Sequence, residues 1–536
     1  MDLKSEVQAW IADDPDPITA QQLQHWLDTD NELELQSSFS GFLAFGTAGL
    51  RGPVRPGPSG MNRAVVGRTA TAIAVYMKER NLTSVVIGRD ARYGSEDFTF
   101  ETASIMSGAG MDVYVLPRPL PTPVLAFATN ELSCDVGIMV TASHNPPQDN
   151  GYKVYLGGTV DGIYYRGSQI IPPTDEIIAT HINEITSLSS QPRGKNWTIV
   201  DEAIVEKYID ITASIAHKPG GLRIVYTAMH GVGTETIIKT FLKAGFPAPI
   251  LVEAQAQPDP DFPTVAFPNP EEPGAIDLAL ETARAHDAHL VIANDPDADR
   301  CAAAINDPVL GWRMLRGDEL GAIFGEIIAR STKKGVLANS IVSSTILSKI
   351  ARHYNLEFKQ TLTGFKWLAK IEGLTFGYEE ALGYAVDAIT VNDKDGVSAA
   401  IKLAQIATDL AAENKTLSDL LDEIWTRHGF HATEQISIRL KDLSLVGVIM
   451  GRLRSNPPSE IAGHIVTSID DLSHPTDDLP PTDGLRFWLD GTIRIIIRPS
   501  GTEAKMKCYI EVIAINSEIA QNTLDHLRAP LKSMLS

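Results

Sequence analysis

Leu290-Val291-Ile292-Ala293-Asn294-Asp295-Pro296-Asp297-Ala298-Asp299-Arg300 sets an apolar run of strand length directly against three carboxylates at alternate positions. The run is too short for a helix and suits a buried strand that ends in a polar loop. The same layout recurs three times past residue 60: a β-branched strand, a polar loop and a helix-like stretch. The opening strands are residues 84–90, 222–226 and 335–339, followed by second strands at 113–116, 250–252 and 357–361. A third strand closes each round, at 136–140, 290–293 and 374–378, and runs into a highly polar loop. Strands alternating with helical stretches predict α/β domains with mixed or parallel sheets covered by helices. Ligands in such sheets gather at the carboxyl ends of strands, so three related units can present one chemical loop each to a common cleft.

Around this core the first forty residues read as helical, interrupted at Asp13-Asp14-Pro15-Asp16-Pro17. Phe45-Gly46-Thr47-Ala48-Gly49-Leu50-Arg51-Gly52 carries too much glycine for a regular element. The last hundred residues read as a separate α+β module, with strands at 434–438, 493–497 and 508–512. Four domains are expected: 1–200 with the helical extension, 201–315, 316–430 and 431–536. At ~150 residues per domain, a length of 536 residues suggests three or four domains.

Lys and Arg total 46 against 67 Asp and Glu, a net charge of −21. That balance disfavours nucleic acid, whose binding wants a basic stripe, yet permits a small anionic ligand in a locally positive pocket. No apolar run approaches the ~20 residues of a membrane helix. The three cysteines, Cys134, Cys301 and Cys508, are too far apart for a disulfide framework or a zinc spacing. The opening residues show no secretory signal, and a cytoplasmic location is expected.

Asp295, Asp297 and Asp299 form a compact oxygen-ligand set suited to a hard divalent cation such as Mg2+. Three buried like charges without a cation would be very costly; the alternative is a solvated acidic turn. Thr141-Ala142-Ser143-His144-Asn145-Pro146-Pro147 puts a serine at the end of an apolar strand, as a nucleophile or as a capping turn. It is not a G-x-S-x-G elbow, and His144, adjacent on an extended chain, is not thereby its base. Lys153 follows closely enough to return to this loop. Arg498-Pro499-Ser500-Gly501-Thr502-Glu503, with Lys505, offers a guanidinium, hydroxyls and glycine amides to a phosphate, or is a hairpin turn. The Walker spacing is absent. Glu379-Glu380-Ala381-Leu382-Gly383 suits sugar hydroxyls, with Lys394 nearby in sequence, although taken alone it reads first as an exposed acidic turn.

Together, and in this order, the five loops resemble those of the α-D-phosphohexomutase superfamily, from about Phe45 to Lys505. The resemblance implies three related α/β domains and a C-terminal α+β domain around a central cleft. It further implies a phosphoserine at Ser143 and Mg2+ held by Asp295, Asp297, Asp299 and the Ser143 phosphate. Lys153, Arg51 and His144 would lie at the transferred group. Arg300, Glu379, Lys394, Arg498, Ser500, Gly501, Thr502 and Lys505 would hold the sugar phosphate. The implied reaction moves phosphate between the 1-hydroxyl and the terminal hydroxyl of an aldose phosphate through a bisphosphorylated sugar, which also serves as activator. Glucose phosphate is the expected substrate, with mannose and pentose phosphates as alternatives, and the enzyme is expected to be a monomer or homodimer. Many hexose mutases place serine where this chain has Ala381, which removes one sugar hydrogen bond worth about 0.5–1.5 kcal/mol. A sugar-phosphate phosphatase and a catalytically silent sugar-phosphate-binding protein are the readings from other classes. The haloacid-type D-x-T pattern is missing at 299–300, and the intact serine and aspartates disfavour a silent protein.

Overall fold

The computed structural model describes residues 2–46, 48–475, 479–500 and 505–536. The chain forms two compact units, one of residues 1–314 and 383–409, the other of 315–382 and 410–536.

In the first unit, Asp2, Asp16 and Asn31 each cap one of three N-terminal helices, Leu3–Asp13, Pro17–Asp28 and Glu32–Ser38. Pro17 sits at the start of the second, where its missing N–H is not needed. This extension docks on the first α/β domain. Arg68, on the helix Arg63–Glu79, lies 5.1 Å from the Trp10 ring centre. Its guanidinium also donates to Asp13, whose carboxylate accepts from the backbone N–H groups of Leu188 and Ser189.

The main path of the first sheet runs Leu50–Pro53, Asp149–Leu156, Val136–Val140, Ser84–Arg89, Asp112–Val115, Thr198–Ile199. The pairs that join Ser84–Arg89 to its two neighbours are parallel. Asp149–Leu156 is antiparallel to both strands beside it. The second sheet repeats this plan: Ile224–Thr227 is parallel to Ile250–Leu251 and Leu290–Ala293, and an antiparallel hairpin, Ala302–Asp307 with Gly311–Met314, completes it. Val136–Val140 and Leu290–Ala293 are buried along their whole length, as central strands covered on both faces should be.

In the second unit, Val336–Ser340 is parallel to Glu357–Thr361 and Leu374–Glu379. The C-terminal sheet is antiparallel throughout: Phe430–Arg439, Lys505–Ala514, Ile493–Pro499, Leu485–Leu489, His464–Asp471, Glu460–Ile461. The helices Ser444–Ser455 and Ser517–Met534 cover one apolar face, through Ile449, Met450, Leu453, Leu524, Leu527 and Leu531. The class is α/β with mixed sheets plus a C-terminal antiparallel domain, as expected. The hairpin strands Asp149–Leu156 and Ala302–Asp307 are additions that the three-strand layout does not contain.

Candidate active site

In the first unit the loops after Val136–Val140 and Leu290–Ala293 meet. Ser143 has φ +51°, a left-handed conformation unusual outside glycine. Its N–H donates to Thr141 Oγ1 at 2.9 Å, and the Arg92 guanidinium gathers the carbonyls around it. Arg92 donates to the carbonyl oxygens of Ser143 (2.7 Å), Asn145 (2.6 Å), Pro146 (2.8 Å) and Asp149 (3.0 Å). With the loop so held, Ser143 Oγ donates to Asp295 Oδ2 at 2.6 Å.

The acidic loop is pinned as firmly. Asn294 Nδ2 donates to the Arg300 carbonyl at 2.6 Å, closing the loop across its base, and Tyr226 OH holds Asn294 Oδ1 at 2.8 Å. Ala298 turns the chain with φ +53°, and its N–H donates to the Asp295 carbonyl. As a result Asp295, Asp297 and Asp299 are all buried, with ligand oxygens that lie within 4.8 Å of one another.

Cations converge on the trio. Lys153 Nζ donates to Asp297 Oδ2 and Asp299 Oδ2, both at 2.8 Å, and Lys394 Nζ to Asp299 Oδ2 at 2.7 Å. Thr122 Oγ1 donates to Asp297 Oδ2 at 2.7 Å. The Arg300 N–H donates to Asp295 Oδ1 at 3.0 Å, with Arg300 Nε 4.0 Å from Asp295 Oδ2. Burial raises Asp295 to about 8, reinforced by Asp297 and Asp299. Burial also opposes charge on Asp297, but Lys153 outweighs it and holds that carboxyl far below the usual range. Lys394 stays charged: burial works against it, and Asp299 and Asp393 more than compensate. His144 Nδ1 lies 3.1 Å from Ser143 Oγ. Burial, then Arg300 and Arg51, pushes His144 well below its ordinary value, so its ring is neutral at pH 7. Arg51 is exposed and donates to Asn145 Oδ1 at 3.1 Å.

Asp297 Oδ1 and Asp299 Oδ1 are buried with no hydrogen-bond partner. Two orphaned carboxylate oxygens beside a third carboxylate, with no nitrogen or sulfur donor in the set, fit a hard cation.

The remaining candidates lie in the second unit. Glu379 Oε1 accepts from the Gly364 N–H at 2.7 Å, and Arg498 Nη1 donates to Thr363 Oγ1. A single loop thus joins the acidic turn to the base of the C-terminal loop. The Ser500 N–H donates to the Lys505 carbonyl at 2.8 Å. Gly501 and Thr502 lie outside the described residues.

Sequence reasoning passed over Arg92 and Thr122. Arg92 follows Arg89-Asp90 at the end of the strand Ser84–Arg89, and that position was the available signal. Thr122, at the start of the helix Thr122–Glu131, carries none. Lys394, expected at the sugar, is paired directly to Asp299.

Three family models match the chain: phosphoglucomutase/phosphomannomutase alpha/beta/alpha domain I over residues 43–189, domain II over 203–310 and domain III over 316–428. A protein named "Probable phosphomannomutase" from Haemophilus influenzae is 48% identical, covering 84% of this chain and 93% of its own. A mouse phosphopentomutase is 33% identical, covering 96% and 90%. A crystal structure of a phosphoglucomutase/phosphomannomutase family protein from Burkholderia thailandensis has the same fold, with TM-score 0.71 at 20% identity over 90% of this chain and 96% of that one. The chain belongs to the phosphoglucomutase/phosphomannomutase family. It is an isomerase of the kind that moves a phosphate group within a sugar phosphate.

Proposed function

We propose that the chain interconverts the 1-phosphate and terminal phosphate of an aldose, with Ser143 as the phosphoryl carrier and glucose phosphate as the preferred sugar. Mannose and pentose phosphates are the alternatives, in keeping with the names of the relatives. The observation that supports this best is the 2.6 Å approach of Ser143 Oγ to Asp295, inside a buried trio whose free oxygens want a cation.

Charge counting links the ion to the phosphate. Three carboxylates, of which Asp295 with its raised pKa keeps its proton at pH 7, face Lys153, Lys394 and Arg300, so the unphosphorylated site carries no excess negative charge. A phosphoserine adds about −2, which one divalent cation balances. Asp295, Asp297 and Asp299 would hold Mg2+ together with an oxygen on Ser143. When bound, Mg2+ supplies Lewis-acid stabilisation of the charge spread over the moving phosphoryl group.

This chain's residues do the rest. Arg92 and the left-handed turn aim Ser143 Oγ. Lys153 and Arg300 stabilise negative charge beside it, and Arg51, exposed next to Asn145, is placed to meet an incoming phosphate. Neutral His144 contributes a hydrogen bond to Ser143 Oγ. In transfer, the bond from phosphorus to Ser143 Oγ breaks as a bond to the sugar hydroxyl oxygen forms, and the proton that this hydroxyl loses is balanced by the one that the freed Ser143 Oγ takes up. The bisphosphorylated sugar then returns its other phosphate to the serine. Glu379 would read the sugar hydroxyls, while Arg498, Ser500, Gly501, Thr502 and Lys505 would hold the phosphate that is not transferred.

The test pairs intact-mass measurement with a coupled assay of glucose 1-, mannose 1- and ribose 1-phosphate, each with a sugar bisphosphate activator. A shift of about +80 Da, the mass of one phosphoryl group, should be present in wild type and absent in Ser143→Ala, which should be inactive. An unmodified wild type whose activity survives that substitution refutes the phosphoserine route, and release of inorganic phosphate in place of isomer would identify a phosphatase.

A further inference from the structure

Glu380, beside Glu379, is anchored through one of its carboxylate oxygens and its own N–H. Glu380 Oε2 accepts from Ser340 Oγ at 3.0 Å and Ser343 Oγ at 2.9 Å, and its own N–H donates to Ser343 Oγ at 3.0 Å. The orientation of the acidic turn is therefore set by the loop of residues 340–345, which leaves the strand Val336–Ser340.

That loop is gripped from the C-terminal sheet. Arg494, on the strand Ile493–Pro499, donates to the carbonyls of Ile341 (3.0 Å) and Ser343, with its side chain 4% exposed. Its Nε lies 3.1 Å from Glu511 Oε2, on the adjacent strand Lys505–Ala514. Glu511 Oε1 accepts from Ser344 Oγ, from Thr345 N–H at 2.8 Å and from Thr345 Oγ1 at 3.1 Å. His431 Nδ1 lies 2.9 Å from the same oxygen. Behind the loop, Asp318 Oδ1 accepts from the Ser344 N–H at 2.7 Å and from Tyr378 OH at 2.8 Å, a residue one position before Glu379.

Such a buried ionic cluster is a poor route to stability alone, since apolar residues of equal volume commonly do as well. What it provides is geometry: the guanidinium fixes two carbonyls and the carboxylate fixes two consecutive residues of one loop. Resting on the reading of Glu379 given above, we infer that Arg494 and Glu511 are positioning residues for sugar recognition, acting through the 340–345 loop on the Glu379-Glu380 turn. Neither touches substrate. The strands that flank the expected phosphate loop thereby also anchor the loop behind the sugar-reading turn.

The test uses the full-length enzyme as Arg494→Met and, independently, Ser343→Ala, which removes one of the two hydroxyls that hold Glu380 without removing either member of the Arg494-Glu511 pair. Wild type is first shown to carry phosphoserine and to isomerise at least one of the three sugar phosphates. The expected result is a rise of about tenfold in KM for the preferred sugar in Arg494→Met, a smaller rise in Ser343→Ala, and a narrowing of discrimination among the three sugars in both. The Ser143 phosphorylation level by intact mass should match wild type, because the first unit is untouched. Wild-type KM and sugar discrimination in a folded Arg494→Met overturn the inference; if that variant does not fold, the same result in Ser343→Ala overturns it. A wild type with neither phosphoserine nor isomerase activity instead overturns the underlying reading of function, a result visible before any variant is made.

Discussion

Ser143 is held in a left-handed turn by hydrogen bonds to carbonyl groups, and Arg92 makes four of them. Its partner Asp90 is equally buried, 3.5 Å away. Arg92→Met removes the four bonds and leaves Asp90 unpaired, a change expected to cost about 3–5 kcal/mol. Thermal unfolding should show that loss, and intact mass should show less phosphoserine in whatever folds. Asp297 answers a different question, because it receives Lys153 and Thr122 on one oxygen and keeps the other bare. Asp297→Ala should lower kcat by at least ~100-fold, the scale of losing one preorganised electrostatic partner. A kinetic titration with Mg2+ checks this; unchanged turnover and Mg2+ dependence would exclude the site. Arg498→Ala should raise KM more than it lowers kcat, since it removes binding common to ground and transition states. The three aspartates could be picked out as a candidate ligand set from alternate carboxylates after an apolar strand, whereas Ser143 stood out from a capping turn only through the order of the five loops taken together. Arg92 was not legible, because a guanidinium that serves backbone carbonyls leaves no pattern in its own neighbourhood.

Between elements, contacts are close enough to be tested by a single methyl group. The Val232 N–H donates to the Pro296 carbonyl at 2.9 Å, and a Cβ at Gly231 would lie 2.3 Å from Pro296 Cα. The three nearest atoms, Cα, C and O of Pro296, are all backbone, so nothing there can yield by a rotamer change. Gly231→Ala should push the acidic loop outward, destabilise the fold by about 1–3 kcal/mol, and weaken activation by Mg2+ more than it changes sugar KM. Steady-state kinetics at varied Mg2+, with a melting curve, would show it. The strands that carry the loops were readable from β-branched runs such as 136–140 and 290–293. The antiparallel additions were not. Ala302-Ala303-Ala304 lacks both alternation and branching, and Asp149-Asn150-Gly151 opens a strand with residues that favour turns. Tertiary burial overrides those propensities. Gly151 accepts its place because a Cβ there would meet the Thr141 carbonyl at 2.4 Å. Lys153, two residues later, is delivered to the aspartates by a strand rather than a loop.

At the scale of the whole molecule, buried carboxyls pull stability in opposite directions with pH. Burial raises Asp318 and Asp395 to about 6, so each binds its proton more tightly folded than unfolded and favours the folded state on the acid side. Glu511 works the other way. Burial opposes its charge, but Arg494, followed by His431, outweighs burial and holds it at about 2, below an ordinary value of 4.5. A carboxyl depressed by folding stabilises fully above its unfolded pKa and loses that contribution as pH falls through 4.5 towards 2. The difference corresponds to on the order of 3 kcal/mol at 1.36 kcal/mol per pH unit. Subtracting a Glu511→Gln variant from wild type isolates this group, because Asp318 and Asp395 are present in both. The wild-type advantage in unfolding free energy should be constant above about pH 5.5 and should shrink steadily below about pH 4.5, measured by denaturant titration at a series of pH values. A gap that stays unchanged down to pH 3 would show that Glu511 is not held ionised by Arg494, and would leave the junction between the third α/β domain and the C-terminal sheet without its central charge pair.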